Sequence, residues 1–299
     1  MKIEEKIKNK YLYSKKNNIF KFFYFYYQFL KSKFKPRLAY SHWGVDLIIT
    51  KLLNSKNKGI YIDVGCHHPF LNNHSYLLYK SGWEGINIDI DYNSIDMFNF
   101  FRKSDVNIQT AVTDHKGEVD LFFYHNRAAK NTISKEFGSG AKEKKKINSD
   151  TLNNIIENSK FKNSKIDFVS IDVEGNEMNV LNGFNLKKYN ISFICLAGFM
   201  KILSKKFIKK FNGNILNIHP SLLPKYKGLN THERAIKNKE KYSGCTVHFV
   251  DSKLDSGKII LQKKVKLSTK ETPSSLQKKI LKHEHKLYPK AISKIFANL

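Results

Sequence analysis

Two groups of residues in this chain have the types and spacing that chemistry requires. Asn217 and His219 stand two apart in the apolar segment ILNIHPSLL, which reads as extended, so their side chains share one face. An asparagine amide can donate a hydrogen bond to a developing oxyanion, and a histidine can carry a proton between two nitrogens. Asp255 is the third member, a carboxylate that would favour the imidazolium if the fold brings it close. Such a trio suits proton-assisted acyl transfer to an amine, although a strand histidine taken alone is more often structural than catalytic. The second group is Asp63 and Gly65 at the end of GIYIDVG, with Asp89 near the end of GINIDI. Glycine lets a backbone approach a ligand, and an acidic residue ending the next strand can accept from both ribose hydroxyls. Those residues outline a nucleoside cofactor site, a motif that many α/β sheets share.

The elements that must position these groups alternate. Residues 1–56 combine lysine runs with the aromatic segment IFKFFYFYYQFL, and WGVDLIITKLL (residues 43–53) reads as a helix. The aromatic run either packs on the domain behind it or lies on a membrane surface, since aromatics flanked by lysines suit an interface. Strands are expected over residues 59–65, 85–90, 107–112, 118–124 and 167–172, with helices over 75–81 and 150–158, the latter capped by Ser149 or Asp150. Residues 138–146 (GSGAKEKKK) read as a polar loop. After Asn190 come the strand FICLAGF, a helix over 204–211, the strand ILNIHPSLL, a helix over 231–238, the strands CTVHFV and IILQKKVKL, and a long helix from Thr272 towards Phe296. Thr272 is its expected cap, with Pro273 at the first helical position. Apolar strands alternating with helices argue for an α/β fold with a mainly parallel sheet. FICLAGF is expected to join the first sheet as its next parallel strand, because an apolar edge would otherwise stay exposed.

Composition limits the alternatives. A hydrophobic content of 41% is enough for a packed core. No apolar run reaches the ~20 residues of a membrane span, and no secretory leader is expected. Cys66, Cys195 and Cys245 are few and lack metal-ligand spacing, which fits a reducing cytoplasm and gives no metal site. The formal charge is +27, yet only four of the 53 basic residues are arginine. Phosphate and guanine recognition favours arginine, so no specific nucleic-acid partner is expected. The joint abundance of Lys, Asn, Ile, Phe and Tyr matches A/T-rich coding.

Longer stretches carry resemblances. YIDVGCHHP, GINIDIDYNSIDMF, AVTDHKGEVDLFFY and IDFVSIDVEGNEMNVLNGF together resemble the FkbM family of S-adenosylmethionine-dependent methyltransferases, over about residues 39–190. The resemblance implies that Asp63 and Gly65 lie beside the methionine part of S-adenosylmethionine and that Asp89 binds its ribose. It places Asp172, Glu174 and Glu177 near the pocket mouth. The later strands of a methyltransferase sheet have no counterpart in the text.

LAGFMKIL, ILNIHPSLLPKYKGLNTHERAI, GCTVHFVDSKLDSGKIILQKKV and HEHKLYPKAI resemble the phosphoribosylglycinamide formyltransferases. That resemblance makes Asn217, His219 and Asp255 catalytic. It assigns Met200, Lys201, Ile202 and Leu203, together with Asn217 and the loop Asp251, Ser252, Lys253, Leu254 and Asp255, to the 10-formyltetrahydrofolate pocket. Leu281, Lys282, His283 and Glu284 fall to the ribonucleotide site. Lys201 stands where the family often has arginine and Asn230 where it often has histidine. The glycine- and serine-containing loop that binds substrate phosphate in the family has no match before FICLAGF.

The expected architecture is therefore α/β throughout: a basic, aromatic segment (1–56), a truncated Rossmann-like sheet of methyltransferase type (57–190) and a partial formyltransferase-type α/β domain (191–299). The expected function is formyl transfer from 10-formyltetrahydrofolate to glycinamide ribonucleotide in purine synthesis, in the cytoplasm, with small-molecule partners and an open oligomeric state. The alternatives are an S-adenosylmethionine-dependent methyltransferase and a non-catalytic fusion arising from recombination or misassembly.

Overall fold

The computed structural model describes residues 18–34, 39–41, 44–53, 56–125, 128–199 and 201–296. The chain divides into two units, Met1–Asn185 and Leu186–Leu299. Unit 1 runs α1 (Asn18–Phe34), α2 (Val45–Leu52), β1 (Ile60–Val64), α3 (Tyr76–Lys80), β2 (Glu84–Asp89), α4 (Tyr92–Phe101), β3 (Val106–Gln109), β4 (Ala111–Thr113), β5 (Gly117–Phe123), β6 (Glu143–Thr151), α5 (Leu152–Glu157), β7 (Phe168–Ile171) and α6 (Glu177–Asn182). Its main sheet has the order β3-β2-β1-β7, with every pair parallel. The apolar run in β1 suits this central place, for Tyr61, Ile62, Asp63 and Val64 are all buried. A second sheet, β4-β6-β5, pairs β4 with β6 in parallel and β5 with β6 antiparallel.

Three expectations change in unit 1. The strand expected over 107–112 is broken at Thr110, whose N–H donates to the Asp89 carbonyl and whose hydroxyl donates to the Asn148 carbonyl. The chain there passes from the first sheet into the second. Residues 143–146, expected as loop, begin β6, because Lys144 and Lys146 reach Asp120 on β5 at 2.7 and 2.8 Å while their backbone completes the ladder. The cap of α5 is Thr151, whose side chain accepts from Asn154 N–H, while Asp150 binds the Asn154 amide.

The inner face of α1 packs on α4. Tyr24 and Phe25 cluster with Met97 and Phe101, Phe25 meets Phe100 at 5.2 Å between ring centroids, and Lys21 pairs with Asp96 at 2.6 Å. Its opposite face is exposed. Trp43, part of the expected second helix, lies outside the described residues.

Arg102, fully buried, ties α3, α4 and the strands together. Its guanidinium donates to Pro69 O at 2.6 Å, Asn73 Oδ1 at 2.7 Å and Ser75 Oγ at 2.9 Å, and lies 4.9 to 5.4 Å from the ring centres of Phe98, Tyr79 and Tyr76. Counter-charge comes one layer out. Asp63 accepts from Asn73 and Ser75, and Asp105 accepts from Tyr61 and Asn87. The polar groups around the buried charge are thereby satisfied on most sides.

Unit 2 runs β8 (Phe193–Leu196), α7 (Lys205–Lys210), β9 (Asn214–His219), α8 (Thr231–Lys237), β10 (Tyr242–Phe249), β11 (Ile259–Lys266) and α9 (Pro273–Phe296). Its sheet has the order β11-β10-β9-β8, with β8 and β9 parallel and the other pairs antiparallel. FICLAGF therefore pairs with ILNIH and not with the first sheet. Thr272 and Ser275 exchange hydrogen bonds at the start of α9, each side chain accepting the other's N–H. Leu276 and Ile280 of α9 pack with Ala235, Cys245 and Val265 to form the core on one face of this sheet.

Arg102→Met is expected to lower the unfolding free energy of unit 1 by about 3–5 kcal/mol, because it strands acceptors and carboxylates arranged around a charge. The urea midpoint followed by the buried Trp83 measures it. A loss below about 1 kcal/mol would show that the network is dispensable.

Candidate functional site

In unit 2 the parallel pairing of β8 and β9 and the antiparallel pairing of β9 and β10 set the register. Asn217 lies opposite His248, and His219 opposite Thr246. Directly opposed residues share a face, so Asn217, His219, Thr246 and His248 line one side of the sheet. Asp255 reaches this face from the loop between β10 and β11. Its Oδ2 lies 3.4 Å from His219 Nδ1 and accepts from Gly228 N–H at 2.8 Å, and its Oδ1 lies 3.7 Å from His248 Nε2. His219 Nε2 meets the Tyr226 carbonyl at 2.9 Å, so that nitrogen carries a proton and donates. A ring that gains a second proton at Nδ1 finds a carboxylate there as its ion-pair partner.

The loop that delivers Asp255 is closed tightly. Phe249 N–H donates to Lys258 O at 2.9 Å, and a Cβ on Gly257 would stand 1.8 Å from the Phe249 carbonyl oxygen. Only glycine permits that approach. Asp255 itself has φ 44, in the left-handed region.

His248 and His232 belong to this site and were not singled out from sequence. His248 Nδ1 is 2.8 Å from the Phe249 carbonyl, and its Nε2 has no hydrogen-bond partner. His232 Nδ1 is likewise buried without a partner. Burial lowers the pKa of both rings, and His219 adds to the lowering at each. The signal available in the sequence was the recurrence of histidine in THERAI and CTVHFV, which has no meaning until the strand register is known.

The inferred folate segments differ in exposure. Met200 lies outside the described residues. Lys201 is exposed, Leu203 is buried and Ile202 is 75% exposed. Asp251, Ser252, Lys253 and Leu254 are exposed, with Asp251 accepting from Lys253 N–H at 2.8 Å. Leu254 packs near Gly228, so exposed apolar atoms border the Asp255 carboxylate. Leu281, Lys282, His283 and Glu284 lie on α9. Glu284 neighbours Cys245, whose side chain leaves β10 on the face opposite His219. The structure therefore brings Asn217, His219 and Asp255 together and places Glu284 on the α9 side of the sheet. Burial pushes the Glu284 carboxyl up to about 7 and the Cys245 thiol up to about 12, the latter with help from Glu284.

In unit 1, Gly65, Asp89 and Asp172 stand at the carboxyl ends of adjacent parallel strands. Gly65 has φ 82, and a Cβ there would lie 1.9 Å from the Asp172 carbonyl oxygen. Asp89 accepts from His67 N–H and Asp91 N–H at 2.8 Å each, and burial raises it to about 7. Glu174 is raised by burial and by its neighbours Asp172 and Glu177. Asp63 faces inward, its Oδ2 held by Asn73 and Ser75. A cleft of about 190 Å³ opens beside Asp91 and Tyr92, lined also by Gln109, Phe123, Asn131 and Lys145.

An α/β protein with an asparagine, a histidine and an aspartate on one sheet face is the class these features define. The formyl transferase family model matches residues 103–292, from within unit 1 through most of unit 2. The chain is 48% identical over 107 residues to the human trifunctional purine biosynthetic protein adenosine-3, covering 36% of this chain and 11% of that protein. It is 45% identical over 116 residues to the phosphoribosylglycinamide formyltransferase of Haemophilus influenzae, covering 39% of this chain and 55% of the relative. Among solved structures, the phosphoribosylglycinamide formyltransferase of Brucella melitensis matches with 40% identity over 45% of this chain and 70% of that one, at a TM-score of 0.37. The chain belongs to the formyl transferase family. It spans about half the length of the bacterial relatives and about a tenth of the human trifunctional protein.

A carboxyl whose folded-state pKa is raised supports the fold while it keeps its proton. For Glu284 that contribution is complete below about pH 4.5 and is lost as pH rises through about 7. Glu284→Gln stays neutral, so its thermal midpoint is expected to exceed the wild type in alkaline buffer and to match it below about pH 4.5. Equal midpoints in alkaline buffer would remove the burial account.

Proposed function

We propose that unit 2 carries the machinery for formyl transfer from 10-formyltetrahydrofolate to glycinamide ribonucleotide, a step of purine synthesis. The observation that supports it most is the convergence of His219 and Asp255 at 3.4 Å on the face that Asn217 shares. The substrate amine attacks the formyl carbon, and the Asn217 amide donates to the oxygen that becomes an oxyanion. His219 takes the amine proton and returns one to the departing folate nitrogen, while Asp255 orients the ring and balances its charge. Both ring nitrogens face protein acceptors, so the exchange runs through a turn of the ring or an intervening water. The exposed apolar side chains of Ile202 and Leu254 suit the flat pterin. Leu281, Lys282, His283 and Glu284 are the ribonucleotide segment of this reading, but Glu284 lies beside Cys245 on the face opposite His219, so it carries no contact with the reacting amine here. The domain assignment proposed with this reading is 57–190 methyltransferase-like and 191–299 formyltransferase-like. The three free cysteines suit a cytoplasmic setting.

The family's phosphate loop has no counterpart in the sequence before β8. Losing it removes charge-assisted hydrogen bonds worth about 1.5–3 kcal/mol each and loosens placement of the amine. Folate binding should therefore survive better than turnover, with turnover rising when another protein supplies the missing half. The assay follows formylglycinamide ribonucleotide formation by the full chain, with and without that half. His219→Ala is expected to reduce the rate by about 10²–10⁴-fold while leaving folate affinity within a few-fold. Turnover unaffected by His219→Ala would sink the assignment.

A second reading concerns unit 1. S-adenosylmethionine binding at Gly65, Asp89, Asp172 and Glu174 is favoured by their position at the carboxyl ends of adjacent parallel strands, where open α/β sheets take ligands. These groups fit the ligand in outline, with Asp89 partly buried at a strand end and Asp172 and Glu174 following the strand on the other side of β1. Asp63 would act through Asn73 and Ser75 rather than by contact. When bound, the cofactor would supply an electrophilic methyl group. The measurement is titration calorimetry with S-adenosylmethionine. Asp89→Ala is expected to weaken binding about tenfold through the lost ribose hydrogen bonds, and equal affinity would exclude the ribose contact.

A further inference from the structure

Unit 1 presents a second surface that neither reading uses. Helix α1 is divided lengthwise. Tyr24, Phe25 and Gln28 are buried, and this face is fixed to α4 by the Phe25 ring contacts and the Lys21–Asp96 pair. The other face carries Ile19, Phe22, Phe23 and Tyr26, between 52% and 63% exposed. Their spacing follows i, i+3, i+4, i+7, so they form one continuous stripe and not scattered outliers. Phe22 and Tyr26 stack at 6.2 Å with an interplanar angle of 7°. A soluble monomer seldom leaves so large an aromatic patch uncovered.

Charge decides what would cover it. Helix α1 contains lysines at 21, 31 and 33 and no acidic residue. Residues 1–38 carry ten lysines and one arginine against two glutamates, a net charge of +9. A second copy of so cationic a segment would be repelled at low ionic strength. An anionic lipid surface supplies both what the stripe lacks and what the lysines attract. Aromatic rings sit well at the headgroup boundary, and basic residues are attracted to a negatively charged leaflet. Among the described residues no helix is long and apolar enough to cross a membrane, so the mode is peripheral.

We propose that α1 docks unit 1 on an anionic membrane surface, with Ile19, Phe22, Phe23 and Tyr26 inserted at the headgroup level and the net positive charge of residues 1–38 attracting the lipid phosphates. The α4 contacts hold the helix to the domain, so docking would need no rearrangement of its buried face.

The test is flotation of the full chain with vesicles of phosphatidylcholine alone or with roughly a third phosphatidylglycerol. The chain is expected to float with the anionic vesicles at least about tenfold more than with the neutral ones, and less as salt rises. The triple variant Phe22→Ser, Phe23→Ser, Tyr26→Ser is expected to lose about tenfold in partition, with an unchanged thermal midpoint showing that the fold is intact. A second protein, Tyr26→Trp, keeps the patch aromatic. Its added emission should move to shorter wavelength with anionic vesicles and stay fixed with neutral ones. Absence of flotation with anionic vesicles overturns the proposal. So does equal flotation of the triple variant, which would leave electrostatics alone, or an unshifted Tyr26→Trp spectrum. A dimer that the triple variant dissociates, found without vesicle binding, assigns the stripe to self-association instead.

Discussion

The candidate active face of unit 2 depends on one carboxylate placed between two imidazoles. Asp255 touches His219 through one oxygen and approaches His248 through the other, while the Gly228 N–H fixes its plane. Each neighbour needs the rest. Without the strand register that sets Asn217 against His248, the carboxylate would have one histidine beside it rather than two. Without the close approach at Gly257, the loop could not turn back early enough to deliver it. Packing, loop closure and chemistry are one constraint here, because the same few ångströms satisfy all three.

That geometry explains what could be read in advance. The pairing of Asn217 with His219 is visible in one strand, since alternate residues share a side by local stereochemistry. His248 and His232 are not, because their relevance arises from pairing between strands, which sequence spacing does not encode. The same limit applies to β8. FICLAGF reads as an apolar parallel strand, but its partner is fixed by β9 and not by the sheet that precedes it in the chain. Residues 143–146 read as loop because four charged residues in a row look fully solvated. In β6 those side chains find carboxylate and aromatic neighbours on β5, and the backbone is free to pair. Local composition reports propensity, whereas cross-strand contacts decide the outcome.

Unit 1 gives a different lesson about motif residues. Asp63 and Gly65 look like ligand-binding positions, yet both have structural work. Asp63 neutralises the shell around Arg102, and Gly65 admits the Asp172 carbonyl. Asp89 is the acidic residue in that motif that stays partly accessible at the end of its strand, and it therefore carries more of the functional argument than the two residues that first drew attention. Arg102, which has no motif around it, organises more of the unit than any of them.

The left-handed backbone of Asp255 separates two properties that usually change together. Asparagine tolerates that conformation but brings no charge, while glutamate keeps the charge but sits poorly in the left-handed region and reaches one methylene too far. No single replacement preserves both shape and charge. Drift at this position therefore has no single-step intermediate that keeps both the backbone turn and the charge between His219 and His248.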